Sequence, residues 1–447
     1  LTGRDWPDNA ERFVFFSRAI LEACLALGRA PDVFHLNDYQ VGLIGAMLRH
    51  EYAGTPLGRS AALLGIHNLG YQGIFPVDAA PAPPPAAPGP GGAGGTAGAA
   101  GATSSSGALG APGERGAAAA PGAPGGERPP VAEALACALG FAPELARPLG
   151  PLEFHGRLNF LKGAIRYADL IVAVSPTYAR EIATPELGFG LDGVLREREG
   201  RLIGILNGID EEIWDPRTDP LIPANYGPES MQGKGENKAR LLEALHLPQQ
   251  PRLPLIGMIS RLVDQKGFDL LAEIADALLE RGDLRLVVLG SGQARYEALC
   301  RELATRYPKH FAAAVDFNDP LAHLIEAGAD FFLMPSRYEP CGLNQMYSMR
   351  YGTVPIVRAT GGLADTVEEF DPATGRGSGF VFREYEPAAL SAAIDRALAL
   401  YARPQLFRKL VARIMERDFS WKQAAQAYLR AYERAVNERA RAGRPRG

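Results

Sequence analysis

Cysteine is scarce in this chain of 447 residues: Cys24, Cys137, Cys300 and Cys341 stand far apart, with no CxxC or CxxxH spacing. That argues against a disulfide framework or a zinc site and fits a reducing compartment. No run of about 18 apolar residues occurs, so no spanning helix is expected. Neither sign of charge dominates. The 47 basic and 51 acidic residues leave a formal charge of −4, which speaks against a nucleic-acid binder driven by bulk charge. Lysine is rare, seven against forty arginines, so a lysine at a structural junction carries more weight than an arginine there. No signal peptide is visible at Leu1, and no methionine opens the chain. The location expected is cytoplasmic, or the plastid stroma in a photosynthetic eukaryote. Ala79 to Pro130 lacks large apolar residues apart from Leu109. Such a segment cannot bury enough surface to offset its ordering entropy, so it reads as a disordered insertion in a folded domain. The basic end, NERARAGRPRG, reads as a solvated tail.

What is present is alternation. Short apolar runs (PDVFHLND, LLGIHNLG, ADLIVAVSPT, RLIGILNGID, LPLIGMISRL, LRLVVLGSG, HFAAAVDFN, ADFFLMPSR, TVPIVRATGG) are separated by helix-period stretches. In FDLLAEIADALLERG, Leu270, Leu271, Ile274 and Leu278 share one face. Repeated strand–helix units predict parallel sheets wound with helices, class α/β. The strand count predicts two sheets, split near residues 210–220. The strand ends carry Asp38, His67, Ser175, Asn207, Arg261, Gly290, Glu339 and Gly361, where open α/β sheets bind ligands. The last helix, FSWKQAAQAYLRAYERAV, has a capping-box spacing at Ser420 and Gln423 and an apolar stripe of Trp421, Ala424, Ala425, Tyr428 and Tyr432. The other domain is the candidate partner of that stripe.

The junctions carry the chemistry. ISRLVDQKG places Arg261 and Lys266 where a strand ends and a helix begins. Two cations there oppose the helix dipole unless an anion such as a diphosphate shares the site. RATGGLADTV places Thr360, Gly361 and Gly362 at a junction of the same kind, where amides could approach a phosphate. In YEPCGLNQ, Glu339 could accept from sugar hydroxyls, with the Cys341–Asn344 amides beside it; the alternative is a helix cap. Cys341 has no histidine nearby in sequence and reads as a small, semi-buried residue. His67 and Asn68 end one strand, where the alternative is a core histidine. Asp38 ends another, where the alternative is an N-cap.

In this order and on this alternation, the motifs resemble those of the bacterial glycogen synthase and plant or algal starch synthase family. The stretches that carry the resemblance are GRDWPDNAERFVFFSRA, IHNLGYQGIFP, FLKGAIRYADLIVAVSPTYAREI, GILNGIDEEIWDP, ISRLVDQKG, PSRYEPCGLNQMYSMRYGTVPIVRATGGLADTV and FSWKQAAQAYL. The resemblance implies a retaining glycosyltransferase with two Rossmann-like domains facing across a cleft (GT-B) and a last helix crossing back to the first. It implies an N-terminal domain over 1–214 that carries the 79–130 insertion. A nucleotide-sugar-binding domain over 215–418 follows, then the crossover helix and tail over 419–447. The reaction implied is transfer of glucose from ADP-glucose to the non-reducing end of an α-1,4-glucan, with no metal or other cofactor and no nucleic-acid or membrane partner. By resemblance, Arg261 and Lys266 hold the diphosphate, and Glu339 binds the glucose hydroxyls beside Cys341, Gly342, Leu343 and Asn344. Thr360, Gly361, Gly362 and Leu363 complete the phosphate pocket. His67, Asp38 and Asn207 line the glucose and acceptor side, and Phe317 takes the place of an adenine-stacking aromatic.

One departure from the family and one contrast with other transferases sharpen the expectation. The family opens with a Lys-x-Gly-Gly-Leu loop that helps bind the donor, and none occurs here. An N-terminally truncated, bacterial-type chain is expected, with an incomplete first sheet and poor donor binding as given. More general retaining transferases carry a second glutamate eight residues after the first; that position is Tyr347, which favours the synthase. The alternatives are a GT-B transferase using another nucleotide sugar and a non-catalytic glucan-binding homologue.

Overall fold

The computed structural model describes residues 6–75, 136 and 139–442. The 79–130 insertion and Cys137 lie outside them. By contact, the chain divides into two compact units, Leu1–Arg12 with Ile74–Asn159, and Phe13–Gly73 with Phe160–Gly447.

The second unit opens with strands β1 (Val33–Asn37) and β2 (Ala61–Ile66). The first unit then contributes β3 (Ile74–Phe75), β4 (Glu153–Phe154) and β5 (Arg157–Asn159), a small antiparallel sheet in the order β3-β5-β4. At two or three residues each, these strands are too short to show a period, so the sequence alone did not announce them. The chain returns through β6 (Leu170–Ala173) and β7 (Leu202–Gly204), completing a parallel sheet in the order β1-β2-β6-β7. The central strands, AALLGI and LIVA, are buried along their whole length, as a parallel sheet covered on both faces requires. Edge strand β1 alternates instead, with Phe34 and Leu36 buried.

The other sheet of this unit uses β8 (Leu255–Ile259), β9 (Arg285–Leu289), β10 (Phe311–Ala314), β11 (Phe331–Met334), β12 (Val354–Arg358) and β13 (Phe380–Phe382). Its order is β10-β9-β8-β11-β12-β13, all parallel. The winding reverses between β8 and β11, and a crevice opens at such a switch point. The helix Phe268–Glu280 buries the expected face, Leu270, Leu271, Ile274 and Leu278.

The last helix, Trp421–Ala442, packs back on the first sheet. Ala424, Ala431 and Ala435 are buried against Ala61, Leu63, Leu170, Val172 and Ile205, with Ala427, Tyr428 and Tyr432 beside them. Two expectations need correction. Trp421 and Ala425 are exposed, because the contact line follows small residues that let the helix approach the sheet closely. Ser420 is not part of a capping box. Its N–H donates to Asp418 Oδ1 at 2.8 Å, so no amide is left for Gln423 to cap.

Candidate active site

A cavity of about 260 Å³ lies at the carboxyl ends of β8 and β11, lined by Ser260, Arg261, Lys266, Ser336, Glu339 and the Gly342–Asn344 turn. A neighbouring cavity of about 270 Å³ shares Ser260, Arg261 and Asn344 and extends to Gly290, Ser291 and Phe317. Six of the expected residues therefore meet in one hollow, and Phe317, 87% exposed, stands in the adjoining one. Gly290 permits the close approach of β8 and β9. A Cβ there would sit 1.8 Å from Ser260 O.

Local sequence explains how the charges arrive. After β8, a short turn (Asp264–Lys266) ends at Gly267, whose φ of 79° is the left-handed region that glycine adopts without strain. Lys266 Nζ donates to Glu339 Oε2 at 2.6 Å, and Ser336 Oγ donates to the same oxygen at 3.0 Å. Glu339 thus neither caps a helix nor stands free. It is 5% exposed and paired with the lysine. Arg261 sits differently. Its guanidinium donates to Tyr71 Oη (2.9 Å) and Gln265 Oε1 (3.3 Å), and among the described residues it forms no ion pair. The cavity therefore holds one neutralised cation and one that is not.

Thr360, Gly361, Gly362 and Leu363 do not line the cavity; they stand behind the Glu339–Cys341 turn. Glu181 Oε1 accepts from Thr360 Oγ1 (2.9 Å) and from the Gly361 N–H (3.0 Å), and the Gly362 N–H donates to Glu339 O (3.1 Å). Those amides are already engaged, so their role here is to hold the turn. Two more side chains, at the start of the helix Pro176–Glu181 that ends in Glu181, assist: Ser175 Oγ donates to Pro340 O at 2.7 Å, and Thr177 Oγ1 bonds Asp365 at 2.6 Å. Cys341 is buried, its sulfur meets the Asn207 backbone N–H, and burial pushes its thiol up to about 11. That is a packed thiol, not a nucleophile.

Asp38 and His67 come together at the ends of β1 and β2. The His67 N–H donates to Asp38 Oδ1 at 2.8 Å, and the His67 ring meets Asn37 Oδ1 at 2.9 Å. Asp38 adopts φ +56°, a conformation uncommon for a non-glycine residue. The next helix starts only at Ile44, so Asp38 is no N-cap. Burial raises the Asp38 carboxyl, partly offset by the His67 and Asn68 amides. His67 is exposed rather than a core histidine.

A supporting layer lies under the Asn344–Arg350 helix. Tyr347, in the place of the second glutamate of other families, stacks on Trp214 at 4.0 Å, and Trp214 stacks on His323 at 3.8 Å. Ser348 Oγ reaches Glu326 Oε2 at 2.7 Å and Asn344 O at 2.7 Å. Burial pushes the Glu326 carboxyl up to about 8, with Ser348 and the Lys234 ammonium lowering it only in part. The folded state therefore keeps a proton that the unfolded chain releases near 4.5. The stabilising contribution of this proton is complete below that value and is lost as pH rises through about 8. Glu326→Gln should therefore melt several degrees higher than the parent at pH 8 and show a shrinking difference toward pH 5. Melting curves across that range check it, and a constant difference would refute it.

A larger hollow of about 780 Å³ beside Lys234 and Lys238 is less suited to ligand chemistry. Lys234 Nζ already donates to Ala327 O, Tyr351 O and Thr353 Oγ1, and Lys238 Nζ to Pro251 O, Leu253 O and Asp330. Among the described residues, no group of three or more His, Cys, Asp or Glu side chains is placed to hold a metal, and no helix is long and apolar enough to cross a membrane.

Sequence reasoning missed Ser336, Glu181 and the bond from Arg261 to Tyr71. The signal for Glu181 was an acid inside PTYAREI, in the helix that follows a strand end, but nothing in sequence names its partner 179 residues away.

The chain matches known proteins along most of its length. The family described as starch synthase catalytic domain matches residues 2–87 and 125–197, and that described as glycosyl transferases group 1 matches 246–412. A glycogen synthase of Koribacter versatilis is 44% identical over 437 residues, covering 98% of this chain and 78% of that protein. One from Anaeromyxobacter dehalogenans is 45% identical over 431 residues, covering 96% and 78%. Among solved structures, the catalytic domain of starch synthase IV from Arabidopsis thaliana, bound to ADP and acarbose, matches with TM-score 0.78 and 31% identity, covering 97% of this chain and 79% of that one.

Proposed function

Because the chain belongs to the glycogen synthase and starch synthase family, a group of GT-B glycosyltransferases, we propose that it moves glucose from ADP-glucose to the non-reducing end of an α-1,4-glucan with retention of configuration. The observation that carries this reading is the cavity at the β8–β11 switch, where Arg261 has no counter-ion among the described residues and Lys266 is held by Glu339. A diphosphate supplies the missing negative charge. As it enters, Lys266 exchanges one anionic partner for another, and the Glu339 carboxylate is released toward the glucose hydroxyls. The charges then face the departing diphosphate, where negative charge grows in the transition state. The adenine lies in the adjoining hollow beside Phe317, and Asp38 and His67 serve the sugar side. Positive charge at the leaving group comes from Arg261 and Lys266, so no metal is needed for that role.

Support for the donor and acceptor comes from the relative described with ADP and acarbose bound. Transfer of labelled glucose to glycogen, measured with ADP-glucose and UDP-glucose in parallel, tests the reading. Incorporation from UDP-glucose alone would replace the donor. Glycogen binding without incorporation from either would favour a non-catalytic glucan-binding homologue.

Glu339 acts by binding and orienting. In Glu339→Gln an amide still bonds sugar hydroxyls, so turnover should fall about 10–100-fold, the worth of one charge-assisted hydrogen bond, and remain measurable. A glucosyl ester trapped on Glu339 and seen by mass spectrometry would show covalent catalysis instead.

A further inference from the structure

Phe189 is strained and solvent-facing at once. It lies between Gly188 and Gly190 with φ +47°, a conformation that a bulky residue rarely adopts, and 38% of it is exposed. Burial therefore does not offset the strain. The surroundings nevertheless fix it. Gln72 Nε2 donates to Phe189 O at 3.0 Å, and Gly188 leaves no room for a side chain, since a Cβ there would lie 2.4 Å from Asp192 Cβ. Strain held in place at a surface points to function.

The ring's neighbours show which function. Phe189 meets Tyr338 edge-on, centroids 5.4 Å apart, and Tyr338 directly precedes Glu339. Tyr71, 51% exposed, accepts from the Arg261 guanidinium through its hydroxyl oxygen. Gly70 lies where these groups converge. A Cβ on it would stand 3.1 Å from Asn68 Oδ1, 3.1 Å from the Tyr338 hydroxyl and 3.8 Å from Phe189 Cζ. An aromatic shelf with a bare glycine floor and a rim of two phenols and an amide thus adjoins the donor cavity.

We infer that Phe189, Tyr338 and Tyr71 form a subsite for the glucan acceptor, one or more sugar units behind the residue that receives glucose. A pyranose offers an apolar C–H face to a ring and hydroxyls to a polar rim. A neutral α-1,4-glucan fits this surface, since the residues named here bring apolar rings, phenols and an amide, and the nearby cation Arg261 lines the donor cavity. The inference rests on the acceptor assigned above.

The test varies a maltooligosaccharide and ADP-glucose separately. Phe189→Ala and Phe189→Gly should raise KM for the oligosaccharide about tenfold and leave KM for ADP-glucose within about twofold of the parent. Phe189→Tyr should keep the parent values. Glycine also relieves the left-handed strain, so the Phe189→Gly protein should melt no lower than the parent, which separates a lost contact from a damaged fold. A rise in KM for ADP-glucose alone, or unchanged constants in Phe189→Gly, overturns the inference. Retardation in gels containing soluble amylose, without donor, reads the site independently of turnover. If the parent is retarded and Phe189→Gly is not, the subsite stands even should glucose transfer fail; equal retardation of the two overturns it.

Discussion

Lys266→Ala should lower kcat with ADP-glucose about 10²–10³-fold, the usual cost of removing one group that stabilises developing negative charge. Arg261→Ala should lose a similar factor. The two variants should differ in stability. Arg261 is exposed, and among the described residues its side chain hydrogen-bonds only to Tyr71 and Gln265, so its loss leaves the melting temperature near the parent's. Lys266 neutralises a Glu339 carboxylate that is 5% exposed, and leaving such a charge unpaired costs up to about 3–5 kcal/mol. Ser336 still donates to Glu339, which places the expected loss at the lower end. The double variant Lys266→Ala/Glu339→Gln separates the two effects. It should regain melting temperature without regaining rate. Near-parent kcat in either single variant would remove these cations from the reaction.

Gly361→Ala should be among the most damaging single-methyl changes in the site. A Cβ on Gly361 would lie 1.8 Å from Glu339 O and 2.8 Å from Glu339 C, and the residue adopts φ +45°. Overpacking and left-handed strain together cost about 2–5 kcal/mol. The only relief is to push back the Glu339 backbone, which moves the carboxylate away from Lys266. Both melting temperature and kcat should therefore collapse. Gly375→Ala is the matched control. Its φ is +68°, yet nothing lies within 4 Å of a Cβ there, so it should cost about 1–2 kcal/mol of backbone strain and leave kcat unchanged. Equal effects from the two substitutions, by calorimetry and initial rates, would show that contact with Glu339 is not what Gly361 provides.

Part of this was legible without coordinates. Runs such as LPLIGMISRL and ADFFLMPSR declare buried parallel strands, because a strand covered on both faces needs apolar residues on both. Their polar ends place Arg261, Lys266 and Glu339 on one edge of one sheet. These are local properties of the chain, set by side-chain pattern and backbone freedom. What the strand ends do to one another is not local. Lys266 and Glu339 lie 73 residues apart, and Arg261 and Tyr71 lie 190 apart. Only the order β10-β9-β8-β11-β12-β13 puts β11 next to β8, so that one cation is neutralised and the other is not. The same holds for Thr360 and Gly361. Their sequence suits a phosphate cradle, but tertiary packing delivers Glu181 to their donors first. The amphipathic period located the last helix, yet the choice of alanines over Trp421 as its contact line was made by the sheet it meets, since only small side chains let a helix lie that close.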